Sequence, residues 1–499
     1  MKDKKILNII YVLFILGNLL LTPSLFVLDA YALIMGLIII NHIRWENGQE
    51  LLYYFVLLFS VMDFTFNLPL FGRLNIYYLH IALFILIVWM LVSFLKKKPN
   101  LNPKQLTQNK YLLFLSIFIA YMVISLIWAE SKGMAIKYMI NYAIMICFML
   151  VVFKFNSNQQ KLKETLKILA YTLLPILIIG AIEMTGFRIM PVRNVFSDLG
   201  WYVKGPEYLK TIPEVFFYNP NNYGVYLIMA MTFILPFIVY NKNKGLNALF
   251  WLMQLGALLN LIFSTSRTAY IVMLLTMVGF MLFFFLMRER EKFRKAVAVA
   301  MATIIVFYGL SFMPDLTLYY GKFNDTPLVN KLSLMAKKTV QPIAEFEEEG
   351  STSERMTIII DITKGVITQG HIQGFGVNNT GVYLKKVGNT HGIVNPHSLW
   401  FEILGDFGIG IFLYLIFIYL NLLWDLIKVY KESLKTNPYG LTSYTAMSLI
   451  AALGGFILTA FAPSSVISFP QMWLLYGLSA AIILRRKTFL QGSTSNHLE

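Results

Sequence analysis

The chain has 499 residues, of which 57% are hydrophobic and 14% are charged, whereas a soluble domain has about 25% charged residues. This composition excludes an ordinary soluble enzyme and indicates a polytopic membrane protein. The net charge of +16 does not indicate a nucleic-acid partner. Its lysines and arginines concentrate in short segments between apolar runs, where such residues set orientation and contact lipid headgroups. The lone cysteine, Cys147, excludes intrachain disulfides and multi-cysteine metal sites.

Apolar runs long enough to cross a hydrocarbon core of about 30 Å recur along the chain. The sequence lacks the alternating segments of about ten residues that are typical of a membrane barrel, so the predicted class is all-α. We predict an integral membrane protein of about 12–14 transmembrane helices. The fourteen runs are 6–22, 25–41, 51–70, 76–95, 111–128, 134–153, 167–184, 221–240, 246–264, 268–287, 295–313, 399–424, 442–461 and 468–484.

The short basic loops predict that both termini are cytoplasmic, because such loops stay on the inner side of the membrane. With the N-terminus placed inside, the strongly basic segments 96–98, 288–295 and 485–487 all fall on one side. The same assignment puts two long segments outside. Loops of that length in a compact protein are usually functional.

This topology divides the chain into five predicted parts. They are the N-terminal helices 1–184, a first outer loop 185–220, central helices 221–313, a large extracytoplasmic loop 314–398, and C-terminal helices with a cytoplasmic tail 399–499. Within the large loop, residues 351–354 have the spacing of a capping box and predict an amphipathic surface helix over about 352–369. We expect its apolar face to carry Met356, Ile359, Ile360, Val366 and Ile367.

His397 directly precedes the apolar run 399–424, and an ionisable residue at a membrane boundary is costly unless it is used. Histidine titrates near neutral pH, which suits a general base. The alternative is an interfacial histidine that only caps a helix. Glu402 and Asp406 follow four residues apart, on one face of the predicted helix. They could orient the base or bind a sugar hydroxyl, or they could form an interfacial acidic pair.

Arg267 and Arg355 lie on the predicted outer side, away from the basic loops. A guanidinium binds phosphate oxygens in bidentate geometry, so both are candidates for phosphate binding. The alternative is an ion pair or a side chain that extends to the membrane surface. Three amide side chains lie among aromatic residues: Asn219, Asn221 and Asn222. Such a group suits carbohydrate binding. The alternative is a turn beside an interfacial belt of aromatic residues. The spacing of His, Asp and Glu predicts no metal site, and we expect no cofactor.

The stretch 395–402, Asn-Pro-His-Ser-Leu-Trp-Phe-Glu, is followed by Gly-Asp-Phe-Gly-Ile-Gly at 405–410. This resembles the signature of the O-antigen ligase and polysaccharide polymerase family, which includes a teichuronic acid biosynthesis membrane protein. Three further pieces fit the family in order: 219–222, 264–267, and 353–355 leading to 374–376. The resemblance covers about 215–415, while the N-terminal half is similar only in hydropathy.

The resemblance implies a GT-C-like membrane glycosyltransferase with a large outer loop before the last three helices, acting without a metal. Such enzymes transfer a glycan from an undecaprenyl-pyrophosphate carrier to an acceptor hydroxyl. By position, His397 would activate the acceptor, and Arg267 and Arg355 would hold the pyrophosphate. Gly376 and Asp406 fall in the family motifs as substrate-binding candidates, Asp406 in a supporting role. A single displacement would invert the anomeric centre.

We therefore predict a polymerase of lipid-linked repeat units of a capsule, exopolysaccharide or teichuronic-type polymer, at the outer face of a bacterial cytoplasmic membrane. Its expected partners are the lipid-linked donor, a glycan or lipid acceptor, membrane lipids, and the flippase and chain-length regulator of the same pathway. The alternative within the class is a ligase that transfers a finished glycan to a lipid, protein or wall acceptor. A flippase would need charged residues inside its spans, and a structural scaffold would not need these outer-face residues.

Overall fold

The computed structural model describes residues 2–21, 26–62, 67–70, 74–97, 109–187, 200, 212–240, 243–264, 266–311, 351–390, 392–461 and 467–491. The described chain is predominantly helical, which confirms the predicted all-α polytopic class. The helices are α1 (Lys2–Leu21), α2 (Phe26–His42), α3 (Gly48–Ser60), α4 (Tyr78–Lys97), α5 (Lys110–Ile124), α6 (Lys132–Phe155), α7 (Gln159–Glu183), α8 (Pro220–Tyr240), α9 (Lys244–Phe263), α10 (Arg267–Leu286), α11 (Arg290–Ser311), α12 (Ser351–Thr363), α13 (Thr380–Val387), α14 (Leu399–Thr436), α15 (Leu441–Thr459), α16 (Pro470–Leu484) and α17 (Arg486–Gln491).

Each of the fourteen predicted apolar runs overlaps one of these helices. Within the described residues, nine helices are long and apolar enough to cross a membrane, namely α4 to α10, α14 and α15. The apolar helices α2 and α16 are shorter. Large apolar side chains such as Phe84, Leu95 and Leu286 face outward and are mostly exposed, which suits a lipid environment rather than water.

The predicted run 51–70 is wrong in its second half. Helix α3 ends at Ser60, and a short antiparallel hairpin follows, formed by β1 (Asn67–Leu70) and β2 (Leu74–Tyr77). Proline has no N–H and disfavours a helix interior, and Pro69 lies within β1. The third helix therefore has 13 residues, which span about 20 Å.

Helices α8 and α15 form the centre of the bundle, since both are buried along most of their length. Two hydrogen bonds fix them as antiparallel neighbours: Ser448 Oγ donates to Phe233 O and Tyr444 OH donates to Tyr240 O, each at 2.8 Å. The C-terminal end of α15 therefore lies beside the N-terminal end of α8.

Helix α14 is sharply bent at Gly408, whose φ of 72° and ψ of −175° are not helical. The rings of Trp400 and Tyr419 have centroids 5.5 Å apart, although nineteen residues of straight helix would span about 28 Å. Residues 399–407, the fold-back segment, therefore turn back along the rest of α14. The predicted span over 399–424 lies within α14, which is long and apolar enough to cross a membrane, but α14 is not one straight helix, because its first nine residues fold back at Gly408.

The predicted surface helix is present as α12 and continues as a π-helical turn at Lys364–Thr368. Its buried face agrees with the predicted one at Val366 but differs at Met356, Ile360 and Ile367. Ile358, Ile362 and Val366 are fully buried, whereas Met356 and Ile367 are mostly exposed. The buried residues pack against side chains of α13, the fold-back segment and the loop between α12 and α13. This tertiary contact decides which face of α12 is buried, and the average spacing of the apolar residues does not.

Candidate functional site

The glycine-rich loop, residues 370–380, docks onto the bend of α14 through its backbone. The N–H of Phe375 donates to Gly405 O at 2.7 Å, and the N–H of Gly376 donates to Asp406 O at 3.0 Å. The N–H of Ile409 in turn donates to Ile372 O at 3.0 Å. Two glycine-containing stretches that are 30 to 37 residues apart in sequence are therefore held together by backbone hydrogen bonds.

The glycines in this contact are required by the close approach of the two backbones. A Cβ on Gly408 would lie 2.1 Å from Ile372 O, and a Cβ on Gly374 would lie 2.5 Å from Gly408 N. Gly376, with φ of 93°, faces α5's end, where a Cβ would lie 2.8 Å from the Cβ of Ala129. Gly376 thus has a packing role in the structure, and its predicted contact with substrate stays a prediction.

Asp406 anchors the start of α13 to the fold-back segment. Its Oδ2 accepts the N–H of Asn378 at 2.6 Å, and its Oδ1 accepts both the N–H of Thr380 at 3.1 Å and the Oγ of Thr380 at 2.6 Å. The side chain is buried. Both oxygens are therefore engaged with the protein, which suits a positioning role for Asp406 better than direct contact with a sugar.

His397 lies two residues before α14 with a half-exposed side chain and a φ of 49°. A positive φ is uncommon for residues other than glycine, although histidine is among those found there more often, and such conformations are concentrated at functional sites. The backbone N–H of His397 donates to Asn395 Oδ1 at 2.9 Å, and the N–H of Leu399 donates to Ala460 O at 2.9 Å. These bonds fix the turn that presents the histidine at the end of α15.

Arg355 lies in α12, one turn before the buried Ile358, and its side chain is half-buried. Among the described residues, no carboxylate forms an ion pair with it. Burial lowers the pKa of the Arg355 guanidinium, although an arginine remains charged at neutral pH. A partly desolvated cation that pairs with no carboxylate in the described part of the chain is a candidate for binding an anionic ligand. Glu402, in the fold-back segment, is buried as well.

The segment that contains Asn219, Asn221 and Asn222 contacts the segment that contains Ser266, where α8 and α10 begin. Ser266 Oγ donates to Asn221 Oδ1 at 3.0 Å, and Asn219 Oδ1 accepts the N–H of Asn222 at 2.8 Å. Asn222 is buried, whereas Asn219 and Asn221 are half-exposed. Arg267 is the first residue of α10, and its side chain lies outside the described part of the chain.

These pieces share one end of the bundle, which we call the site face. Helices α8 and α10 start there side by side, since a Cβ on Gly224 would lie 3.2 Å from the Cβ of both Ser266 and Ala269. The last turn of α15 reaches the same end and accepts the backbone of Leu399 through Ala460 O. Helix α12 packs on the fold-back segment through Ile358 and Leu404. The sequence analysis had also assigned the candidate site residues to one side of the membrane. Within the described residues, no three His, Cys, Asp or Glu side chains converge as metal ligands do.

Sequence reasoning missed two residues that shape the site face, Thr380 and Glu183. Glu183 ends α7 and is buried, and its Oε2 accepts the N–H groups of Glu214 and Val215 at 2.9 Å each. It therefore holds the chain that leads into Asn219. The sequence signal that could have identified Glu183 is a carboxylate at the end of an apolar run.

We expect Glu183→Ala to destabilise the protein by about 3 kcal/mol, because two buried N–H groups lose their acceptor. A thermal unfolding scan of the purified protein in detergent measures this. The matched control is Glu130→Ala, which removes an exposed ion pair with Lys386 at 2.7 Å and should cost less than about 1 kcal/mol. Equal melting temperatures for the two variants would contradict the assignment.

Comparison with known proteins finds similarity over the region that contains the site face. Residues 252–418 match the family model described as O-antigen ligase. The matched region includes Arg267, Arg355, His397 and the bend at Gly408. The chain is also 24% identical over 379 residues to the teichuronic acid biosynthesis protein TuaE of Bacillus subtilis (strain 168), covering 75% of this chain and 72% of that protein. Over residues 252–418 the chain is therefore similar to the O-antigen ligase family, and over three quarters of its length it is similar to a teichuronic acid biosynthesis protein.

Proposed function

We propose that this protein is a membrane glycosyltransferase that polymerises undecaprenyl-pyrophosphate-linked repeat units of a cell-surface polysaccharide. One observation carries the proposal: a histidine with a positive φ, an arginine that pairs with no carboxylate of the described residues, and an amide–hydroxyl cluster all lie at the site face. The name of the relative, a teichuronic acid biosynthesis protein, supports a polysaccharide as product.

In the proposed reaction, the imidazole of His397 removes the proton from an acceptor hydroxyl of one repeat unit. The acceptor oxygen then forms a bond to the anomeric carbon of a second unit, and the bond from that carbon to the pyrophosphate oxygen breaks. The bond electrons leave with undecaprenyl pyrophosphate. Arg355 and Arg267 stabilise the charge that develops on this leaving group. A single displacement of this kind inverts the anomeric centre and uses no metal.

We place the site face on the outer side of a bacterial cytoplasmic membrane, with both termini in the cytoplasm. Basic residues at the opposite end support this orientation through the positive-inside rule; they include Lys161, Lys167, Lys295, Lys428 and Arg485. The five-part division at 184, 220, 313 and 398 and the GT-C-like architecture belong to the same proposal.

We expect Arg355→Lys to reduce polymer formation about tenfold or more while the protein level is unchanged. Lysine keeps the charge but cannot form the bidentate contact of a guanidinium with phosphate oxygens. Polymer quantified from cells that express the variant in place of the native protein gives the effect. Arg290→Lys, at the other end of the bundle, is the control. Full polymer with Arg355→Lys would remove Arg355 from the site.

The proposal is tested with purified protein in liposomes, supplied with single lipid-linked repeat units. A polymerase forms longer glycans on the lipid and releases undecaprenyl pyrophosphate. A flippase would move the repeats across the bilayer without a change in their length, which would refute the proposal.

The second candidate is a ligase, which the family description O-antigen ligase favours. It would transfer a finished glycan in one step to a different lipid, protein or wall acceptor. The two activities differ in their products. A ladder of lipid-linked lengths indicates polymerisation, whereas one long glycan on a new acceptor indicates ligation.

A further inference from the structure

A second feature of the bundle lies away from the site face. A cavity of about 420 Å³ runs between α7, α8, α9, α15 and α16. Its walls are almost entirely apolar, with Leu166, Ala170, Ala230, Phe233 and Leu249 among them. Tyr171, which is 41% exposed, also lines it, so the cavity opens to the outside of the bundle. Along α7 its lining extends from residue 163 to residue 173, a rise of about 15 Å.

Lysine side chains make one end of this cavity positively charged. Lys163 and Lys167 line it and lie on one face of α7, one turn apart. Lys167 is paired with Glu164 at 3.1 Å, while no carboxylate of the described residues forms an ion pair with Lys163. Lys244 begins α9, two residues before Leu246, which also lines the cavity. The net charge at this mouth is positive.

The mouth lies at the end of the bundle opposite the site face. Twenty residues of α7, from Lys163 to Glu183, separate it from the chain that leads into Asn219, which corresponds to about 30 Å. A lipid-linked donor with its pyrophosphate at the site face would enter from the other side of the bilayer. The cavity therefore suits an amphiphile whose anionic headgroup lies at Lys163 and whose apolar chains point toward the bundle centre.

We propose that this cavity binds an anionic phospholipid of the leaflet opposite the site face. The walls take the acyl chains, and Lys163 and Lys167 bind the headgroup phosphate. A zwitterionic lipid of the same chain length gains less from the two lysines, because its own cation offsets the attraction. The bound lipid fills a gap between the central helices α8 and α15 and their neighbours, and we expect it to stabilise the bundle.

The test uses the full-length protein purified in detergent and titrated separately with phosphatidylglycerol, phosphatidylcholine of identical chains, glycerol phosphate and undecaprenyl phosphate. Native mass spectrometry counts bound molecules, and thermal unfolding reports stabilisation. The double variant Lys163→Gln/Lys167→Gln removes the headgroup contacts. The control, Lys431→Gln/Lys435→Gln, removes the same charge at the same spacing from exposed positions of α14. Ala170→Phe fills the cavity without a change in charge.

We expect phosphatidylglycerol to bind and to raise the melting temperature. Its affinity should fall about tenfold in the Lys163/Lys167 variant and in Ala170→Phe, and stay within about twofold of wild type in the control. Equal binding of phosphatidylcholine, an equal loss in the Lys431/Lys435 control, or stabilisation by glycerol phosphate alone would overturn the proposal. Preferential binding of undecaprenyl phosphate at Lys163 would also overturn it. These readouts need no transferase activity, so they stand apart from the test of the proposed function.

Discussion

Gly408→Ala is expected to abolish the folded protein. The backbone at Gly408, with φ of 72° and ψ of −175°, lies in a region that is essentially restricted to glycine. An added Cβ would also lie 2.1 Å from Ile372 O and 2.6 Å from Gly374 N, both backbone atoms that cannot move independently. The combined strain and steric clash should cost about 4 kcal/mol or more. Size-exclusion chromatography and thermal unfolding of the detergent-purified protein measure the effect.

Gly410→Ala is the control for this prediction. Gly410 lies two residues further along α14, and no atom lies within 4 Å of a Cβ built on it. Alanine is favoured over glycine in a helix by about 1 kcal/mol, so this variant should melt at the same or a higher temperature. If both variants behave as wild type does, α14 is not bent at Gly408 and the fold-back segment does not exist.

Asp406→Ala is expected to be the next most damaging change. It leaves three donors without an acceptor: the N–H groups of Asn378 and Thr380 and the hydroxyl of Thr380. Each buried donor left unsatisfied costs about 1–3 kcal/mol, so we expect a loss of at least about 3 kcal/mol in the free energy of unfolding. The loop that pairs with the bend should then detach from α14, and polymer should be lost.

A graded series at Thr380 tests the same contact. Thr380→Val removes one of the three hydrogen bonds and should have an intermediate effect, whereas Thr380→Ser keeps all three and should resemble wild type. The order of melting temperatures is therefore Asp406→Ala below Thr380→Val below Thr380→Ser. A wild-type melting temperature for Asp406→Ala would show that this carboxyl does not anchor the loop.

The helices and their grouping follow from local features of the sequence. Apolar runs of membrane length predict the helices directly, and each predicted run overlaps one helix. Short polar segments at helix starts were also predicted to lie on one side of the membrane, and the structure joins some of them by hydrogen bonds. The hydrogen bond from Ser266 to Asn221 joins two of these pieces, and the paired backbones around Gly376 and Gly408 join two more.

The bend in α14 could not be derived from periodicity, because residues 399–424 are apolar apart from Glu402, Asp406 and Asn421 and predict one helix. Only the tertiary pairing with the glycine-rich loop makes the conformation of Gly408 favourable. The role of Asp406 in anchoring the loop at 378–380 was also not predicted, because it depends on a contact between distant parts of the chain. Its spacing of four from Glu402 predicts a shared helix face, but its partners, the residues at 378–380, lie in another part of the chain.

The central claim is that His397 acts as the base at the site face, and His397→Gly tests it most directly. Glycine adopts the left-handed conformation of residue 397 without strain, which for another L-residue costs about 1–2 kcal/mol, so the variant should fold at least as well as wild type. We expect normal protein level, an unchanged or raised melting temperature, loss of surface polymer, and accumulation of single lipid-linked repeats outside the membrane. Normal polymer from a normally folded His397→Gly protein would contradict the account and leave His397 as a turn residue before α14.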